Sequence, residues 1–251
     1  MFNNKKKTKD EETTFLDFGM TLEDGISTSK HSLKGGDGSP YFVDFDLIST
    51  KPSNCEKIAN RFKMQIDAIS KARQKSPDVL MFIEKDNIGT VGTLTYAAHL
   101  SIITGIPMII DRHWKELIGD RIKLSKDYNA DKLKGKDIIL ISDVSTTGTE
   151  LLEAIRDIRH NGGNVTDIIV YYSRLTIDIV NDFATKGILI HPLYTPHQAR
   201  YVSINKDVPR IKSAFNSIDE ALKKNGKLIG DSAILQKIVN LARKQKPAFN
   251  F

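Results

Sequence analysis

The sequence predicts an α/β fold: an open, mainly parallel sheet flanked by helices, with a small N-terminal hood and a C-terminal helical appendage. Three observations lead there. The run 138–141 has the continuous hydrophobicity of a strand buried on both faces, and 78–83 and 165–172 also read as strands. The segments between them place apolar residues three and four apart, so strands and helices alternate along the chain. Polar clusters follow the carboxyl ends of successive strands, where open α/β sheets hold their ligands.

Composition sets the bounds. The 251 residues suffice for one large α/β domain or a domain with an appendage, and 40% apolar with 27% charged residues is ordinary for a globular protein in water. No apolar run is long enough to span a membrane. Residues 1–12 are mostly Lys, Asn, Asp and Glu without the apolar core of a secretory signal, and 1–16 are expected to form a disordered tail. The single cysteine, Cys55, has no partner for an internal disulfide, which points to a reducing, cytoplasmic setting. The net charge of +6 resides in residues 206–251, where ten Lys/Arg face four Asp/Glu. These charges lie on polar faces of helical segments and read as solvated surface rather than as a nucleic-acid footprint.

Taken in order, residues 17–50 form a hood that is loop-rich, with Gly at 19, 25, 35, 36 and 38, and end in a strand over 41–48. A core domain is expected over 51–195. It opens with an amphipathic helix at 53–74, whose face carries Ile58, Ala59, Phe62, Ile66 and Ile69, with Ser53 or Asn54 as its cap. The strand at 78–83 leads through Glu84-Lys85-Asp86-Asn87-Ile88-Gly89 into a helix over 91–104. The next strand, 105–111, delivers Arg112-His113-Trp114-Lys115-Glu116, and 117–133 is long, charged and without a firm period, as a flexible lid would be.

The chain is organised around residues 137–155. An apolar strand at 138–141 runs into a polar turn from Asp143 to Thr149 around Gly148, and a helix starts at Glu150 with Leu151, Leu152, Ile155 and Ile158 on one face. A strand, a hydroxyl-rich turn and a helix N-terminus make a phosphate cradle, because free backbone N–H groups and the positive end of the helix dipole meet at the turn. Thr146, Thr147 and Thr149 add hydroxyl donors, and Asp143 can accept from sugar hydroxyls. The helix stops at Asn161-Gly162-Gly163. A strand over 165–172 delivers Tyr171-Tyr172-Ser173-Arg174, followed by a helix at 177–183 and a strand at 187–191. Residues 196–251 form the basic appendage, with a capping box at Ser217-Ile218-Asp219-Glu220 and a final amphipathic helix at 231–244. The sequence has no internal repeat, no zinc-ligand spacing and no Gly-x-Gly-x-x-Gly fingerprint.

Residues 138–152 resemble the signature loop of type I phosphoribosyltransferases. That loop holds the 5-phosphate and ribose of phosphoribosyl pyrophosphate (PRPP) with an apolar strand, two acids and a Thr/Gly-rich turn. Ser142 stands where the family has the first acid. The phrase from Ser32 through Lys34 and Ser39-Pro40-Tyr41-Phe42 to Asp44 resembles the hood of orotate phosphoribosyltransferases. Arg112 matches the Arg of that family's Arg-Lys-Glu-x-Lys motif, His113 replaces its first Lys, Lys115 comes one place early, and the following Asp-His-Gly is absent. The likeness covers residues 32–192.

The resemblance implies roles. Ser145, Thr146, Thr147, Gly148 and Thr149 would hold the 5-phosphate, and Asp143 the ribose hydroxyls. Arg112 and Lys115, with Lys85, Asn87 and Gly89, would hold pyrophosphate. Lys34, Tyr41, Phe42 and Arg174 would hold the base, a guanidinium fork suiting a planar ligand with carbonyl and carboxylate acceptors. The implied reaction transfers phosphoribose from PRPP to orotate, giving orotidine 5′-monophosphate and pyrophosphate in pyrimidine biosynthesis. Mg²⁺ would be bound mainly through PRPP, and the enzyme would be a cytoplasmic homodimer. Two other readings stay open: a regulatory protein of the same fold that senses PRPP or a nucleotide, and a purine phosphoribosyltransferase.

Overall fold

A computed structural model of the chain describes residues 24–27, 31–32, 38–39, 42–84, 91–112, 114–118, 121–125, 132–196, 209, 213 and 216. The chain divides into two compact units, one drawn from Met1–Asp44 and Thr195–Phe251, the other spanning Phe45–Tyr194. In the first unit, β1 (Ile26–Ser27) pairs antiparallel with β4 (Phe42–Val43), and β2 (His31–Ser32) with β3 (Gly38–Ser39). Ile26 and Val43 are buried, and the Asp44 amide donates to the Gly25 carbonyl at 2.9 Å. The expected capping box at Ser217 and the helix at 231–244 lie outside the described residues.

The second unit holds a five-stranded, all-parallel sheet in the order β11-β10-β9-β5-β6. Its strands are β5 (Val79–Glu84), β6 (Met108–Arg112), β9 (Asp137–Ser145), β10 (Asn164–Ser173) and β11 (Leu189–Tyr194). Two helical layers cover it. On one face lie α1 (Phe45–Ser49), α2 (Pro52–Arg73) and α3 (Val91–Thr104), packed on one another, with α2 against β10 and β11 and α3 against β5 and β6. On the other face α4 (Thr149–His160) packs on β10 and α5 (Ile177–Thr185) on β11. The strand order reverses between β5 and β9, so their following loops leave toward opposite faces and open a crevice at the carboxyl ends.

Each face has its own core chemistry. Under α4 and α5 the core is aliphatic, built from Met81, Ile138, Leu140, Leu151, Ile155, Ile158, Ile168 and Val170. Under α1–α3 it is aromatic: Phe62 and Tyr96 rings stack at 5.7 Å, and Phe45 meets Tyr171 edge-on at 4.9 Å. Such pairs add about 0.5–1.5 kcal/mol each beyond their buried area.

The helix expected over 91–104 is α3, with the same bounds. Four other expectations are corrected. The segment 41–48 is a strand only at Phe42–Val43, then turns helical, because Phe45 and Ile48 one turn apart both bury while Asp46 and Leu47 stay exposed. Neither Ser53 nor Asn54 caps α2. Lys51 is at the N-cap with Pro just inside, and the buried Asn54 amide instead donates to the Ile48 carbonyl at 3.0 Å, tying α1 to α2. Strand β9 continues through the polar Ser142–Ser145, where β10 pairs with it as far as Ser173↔Ser145. Part of the expected lid is regular: β7 (Trp114–Ile118) and β8 (Arg121–Ser125) form an antiparallel hairpin, while 126–131 lie outside the described residues.

In the amino half of β10, Asp167 is buried at 2% exposure and pairs with Arg73 of α2 and, at 2.7 Å, with His191 Nε2 of β11. The Thr166 hydroxyl donates to the same carboxylate at 3.0 Å. Burial, and then the Arg73 guanidinium, push the His191 imidazole below its usual value. Asp167 favours the opposite, but Arg73 already neutralises it, so burial prevails. The stability contributed by a neutral His191 is therefore complete above its unfolded value of 6.5 and is lost as pH falls through the lower folded value. Urea titrations between about pH 8 and pH 5 should show a steeper acid-side loss for the native chain than for His191→Gln; parallel curves would remove His191 from the account.

Candidate functional site

The site is built where β9 hands over to α4. Parallel pairing on both sides fixes which way the side chains of β9 point. Ser142 pairs with Val170 and shares the aliphatic face of Ile138 and Leu140. It is 7% exposed, and its hydroxyl donates to the Val144 carbonyl at 3.4 Å. Asp143 takes the opposite face, that of Ile139 and Ile141, and is half-buried. Its Oδ1 accepts from the Val144 amide at 2.6 Å. One carboxylate therefore stands at the end of the central strand, and a small hydroxyl occupies the position beside it.

After Ser145 the chain turns through Thr146, Thr147 and Gly148 into α4. Gly148 is the N-cap of α4 in the left-handed region, with φ 74°, and no side chain caps the helix. A Cβ at Gly148 would meet the Phe183 ring at 3.0 Å, so both the backbone angle and the space select glycine. The Thr147 and Thr149 hydroxyls lie 3.1 Å apart. The turn thus joins two hydroxyls to the dipole end of a twelve-residue helix, an arrangement suited to a phosphate. The Arg174 amide donates to the Ser145 carbonyl at 2.8 Å, which fastens the end of β10 to the end of β9. Arg174 itself is 4% exposed.

Of the residues singled out in the sequence, Asp143, Ser145, Thr146, Thr147, Gly148, Thr149 and Arg174 are brought together here. Ser145 belongs to the strand rather than to the turn. Arg112 ends β6 in register with Glu84 at the end of β5, at the same edge of the sheet, and Lys115 lies on β7 opposite Leu124. Phe42 pairs with Ser27 in the other unit. Lys34, Tyr41, Lys85, Asn87 and Gly89 lie outside the described residues.

Sequence reasoning missed a second junction, at the start of α3. The Gly92 amide donates to Asp46 Oδ1 at 2.9 Å, and a Cβ on Gly92 would sit 2.8 Å from the backbone of both Asp46 and Phe45. Helix α1 is therefore clamped against the first turn of α3. The glycine one place into a helix was the available signal, since glycine in a helix costs about 1 kcal/mol without a packing reason.

Among the described residues no group of three His, Cys, Asp or Glu is placed to hold a metal ion. One carboxylate with hydroxyls around it suits a hard cation carried in on ligand oxygens, which needs only a carboxylate or two from the protein.

The fold and the turn define a doubly wound α/β protein whose strand–turn–helix junction at the topological switch point has the geometry and dipole suited to an anion. No protein-family model matches the chain. It is 30% identical over 172 residues to the orotate phosphoribosyltransferase of Methanothermobacter thermautotrophicus, covering 68% of this chain and 84% of that protein. With the orotate phosphoribosyltransferase of Methanosphaera stadtmanae it shares 29% identity over 154 residues, 59% of this chain and 75% of the other. Among solved structures, orotate phosphoribosyltransferase from Aeropyrum pernix superposes with a TM-score of 0.54 at 19% identity, over 71% of this chain and 93% of that one. UMP synthase of Leishmania donovani gives 0.60 at 19% identity, over 80% of this chain and 41% of that longer one. The chain belongs to the orotate phosphoribosyltransferase family, and its sheet has the type I phosphoribosyltransferase fold.

Gly148→Ala should lower stability by roughly 1–2 kcal/mol, the cost of a left-handed residue with a Cβ, and should weaken phosphate-ester binding further. Thermal unfolding with and without PRPP would separate the two effects. An alanine variant as stable as the native chain would mean that the turn is not strained.

Proposed function

We propose that this chain transfers the phosphoribosyl group of PRPP to orotate, forming orotidine 5′-monophosphate and releasing pyrophosphate. The observation that carries the proposal is the β9–turn–α4 cradle with Asp143 at its entrance, in a chain of this family. In the reaction the anomeric C–O bond to pyrophosphate breaks and a C–N bond to the base forms. Positive charge grows on the ribose and negative charge on the leaving group, so the protein's task is positioning and electrostatic stabilisation.

In this reading Ser145, Thr146, Thr147, Gly148 and Thr149 seat the 5-phosphate. Asp143 accepts from the ribose hydroxyls and places negative charge beside the developing cation. Arg112, Lys115 and Lys85 neutralise the pyrophosphate, and Asn87 and Gly89 help hold it. Arg174 orients the base, and its burial favours a planar acceptor that fits its fork without water. Mg²⁺, when bound, would draw charge from the pyrophosphate oxygens, with Asp143 the protein group suited to face it. A cytoplasmic homodimer completes the proposal; no helix among the described residues is long and apolar enough to cross a membrane.

One observation favours a second reading. Ser142 cannot supply a carboxylate, and its hydroxyl is directed into its own strand's backbone. That suits a protein that binds PRPP as a signal without turning it over. Mixing the chain with Mg²⁺, PRPP and orotate should deplete orotate absorbance. PRPP binding without turnover would select the sensor, and turnover with adenine or hypoxanthine alone would select a purine base. Asp143→Ala should raise the PRPP KM by about 10- to 100-fold, the worth of hydrogen bonds to a charged group. Unchanged kinetics would break the ribose assignment.

A further inference from the structure

Tyr96 lies in the middle of α3 and is fully buried. Its ring is 5.7 Å from Phe62, 6.1 Å from Phe82 and 6.4 Å from Phe45. Apolar rings surround it, yet it carries a hydroxyl, and that Oη has no hydrogen-bond partner among the described residues. Buried phenols nearly always find one, because an unpaired polar atom in a core is costly.

The sheet register says what stands nearest in kind. Phe82, under the Tyr96 ring, pairs with Ile141 of β9. Asp143 is the next residue of β9 on that same face, and the pairs Ser142↔Val170 and Val144↔Tyr172 set it beside Tyr171 of the aromatic cluster. The phenol holds its proton far above the usual range, from burial first and then from the negative charge of Asp143. The nearby Thr93 hydroxyl opposes this, and Asp46 and Tyr171 add to it. Tyr96 is thus a neutral hydroxyl that stays a donor, within electrostatic reach of the one carboxylate at the end of β9.

We propose that Tyr96 is a positioning residue for Asp143: its buried hydroxyl is the donor that orients this carboxylate toward the ribose of PRPP. This rests on reading Asp143 as the ribose ligand. With Ser142 in the neighbouring position, no second carboxylate shares the ribose diol, so the orientation of Asp143 decides the contact. Oδ1 accepts from the Val144 amide at 2.6 Å, and the phenol has no hydrogen-bond partner among the described residues. In the proposed arrangement the carboxylate turns toward α3 to accept from the phenol, which leaves its other oxygen for the ribose diol. Tyr96 touches no substrate and acts only through Asp143.

The test is Tyr96→Phe in the full chain, which removes one oxygen and keeps the aromatic packing. Without ligand its Tm should equal or exceed the native value, since the lost hydroxyl was unpaired. The PRPP KM should rise about tenfold with kcat nearly constant, the size expected for one bond to a charged group. In Asp143→Asn, the added Tyr96→Phe change should cost nothing more. A merely structural tyrosine would lower Tm and leave the KM/kcat split unmoved. Native PRPP affinity in Tyr96→Phe, or losses that add in the double variant, would overturn the proposal while leaving the orotate reading intact. A native chain that binds PRPP but leaves orotate untouched would sink the orotate reading while the Tyr96 effect on PRPP binding could still be measured. A native chain that binds no PRPP would overturn both.

Discussion

Everything in the second unit depends on β9 being buried on both faces for most of its length while ending in polar residues. Ile138–Ile141 are almost wholly excluded from water, with β5 and β10 bonded on either side. Full burial of such side chains stabilises the fold by about 1.5–3 kcal/mol each. That anchorage is what lets the strand carry Ser142, Asp143 and Ser145 on to the end of the ladder, where the Arg174 amide closes on the Ser145 carbonyl. The polar strand end is paired with β10 and continues a stretch paired on both sides, and a strand end held in this way is what a small charged ligand requires.

The two faces of the sheet divide the work. The aliphatic face fixes α4, and through it the left-handed Gly148 against Phe183, so that the helix N-terminus is held at the strand end. The aromatic face fixes α1 and α3. There the Asp46–Gly92 bond clamps the start of α3, and the Tyr96 hydroxyl lies among rings on the side to which Asp143 belongs. In the proposed reading, phosphate seating draws on one layer and control of the carboxylate on the other. Away from the carboxyl ends, the buried Arg73–Asp167–His191 group locks α2 to β10 and β11; its charges compensate one another and serve the scaffold.

Much of this was legible in the residues. Doubly buried strands read as continuous apolar runs, and α3 was read with its bounds intact because glycine and a short strand bracket it. The β9–α4 junction was legible because hydroxyls and a glycine separate an apolar strand from a helical period. What escaped depended on distant partners. Residues 142–145 look like a loop, and only pairing with β10, some 28 residues on, makes them a strand. The 41–48 stretch is short enough for strand and helix periods to compete, and the burial of Phe45 against Tyr171 decided it. In the hairpin β7–β8, the alternation Arg121-Ile122-Lys123-Leu124-Ser125 was present in the sequence but was overshadowed by its charge. Nothing local marks Tyr96, whose interest comes entirely from what surrounds it.

The central claim is that the β9–α4 junction seats the 5-phosphate of PRPP while Asp143 receives its ribose. A crystal structure of the chain with PRPP and Mg²⁺ tests this most directly. The account predicts phosphate oxygens within about 3 Å of the Thr146–Thr149 amides and hydroxyls, and the ribose diol on the Asp143 carboxylate. A phosphate seated elsewhere, or a ribose turned away from Asp143, would contradict it.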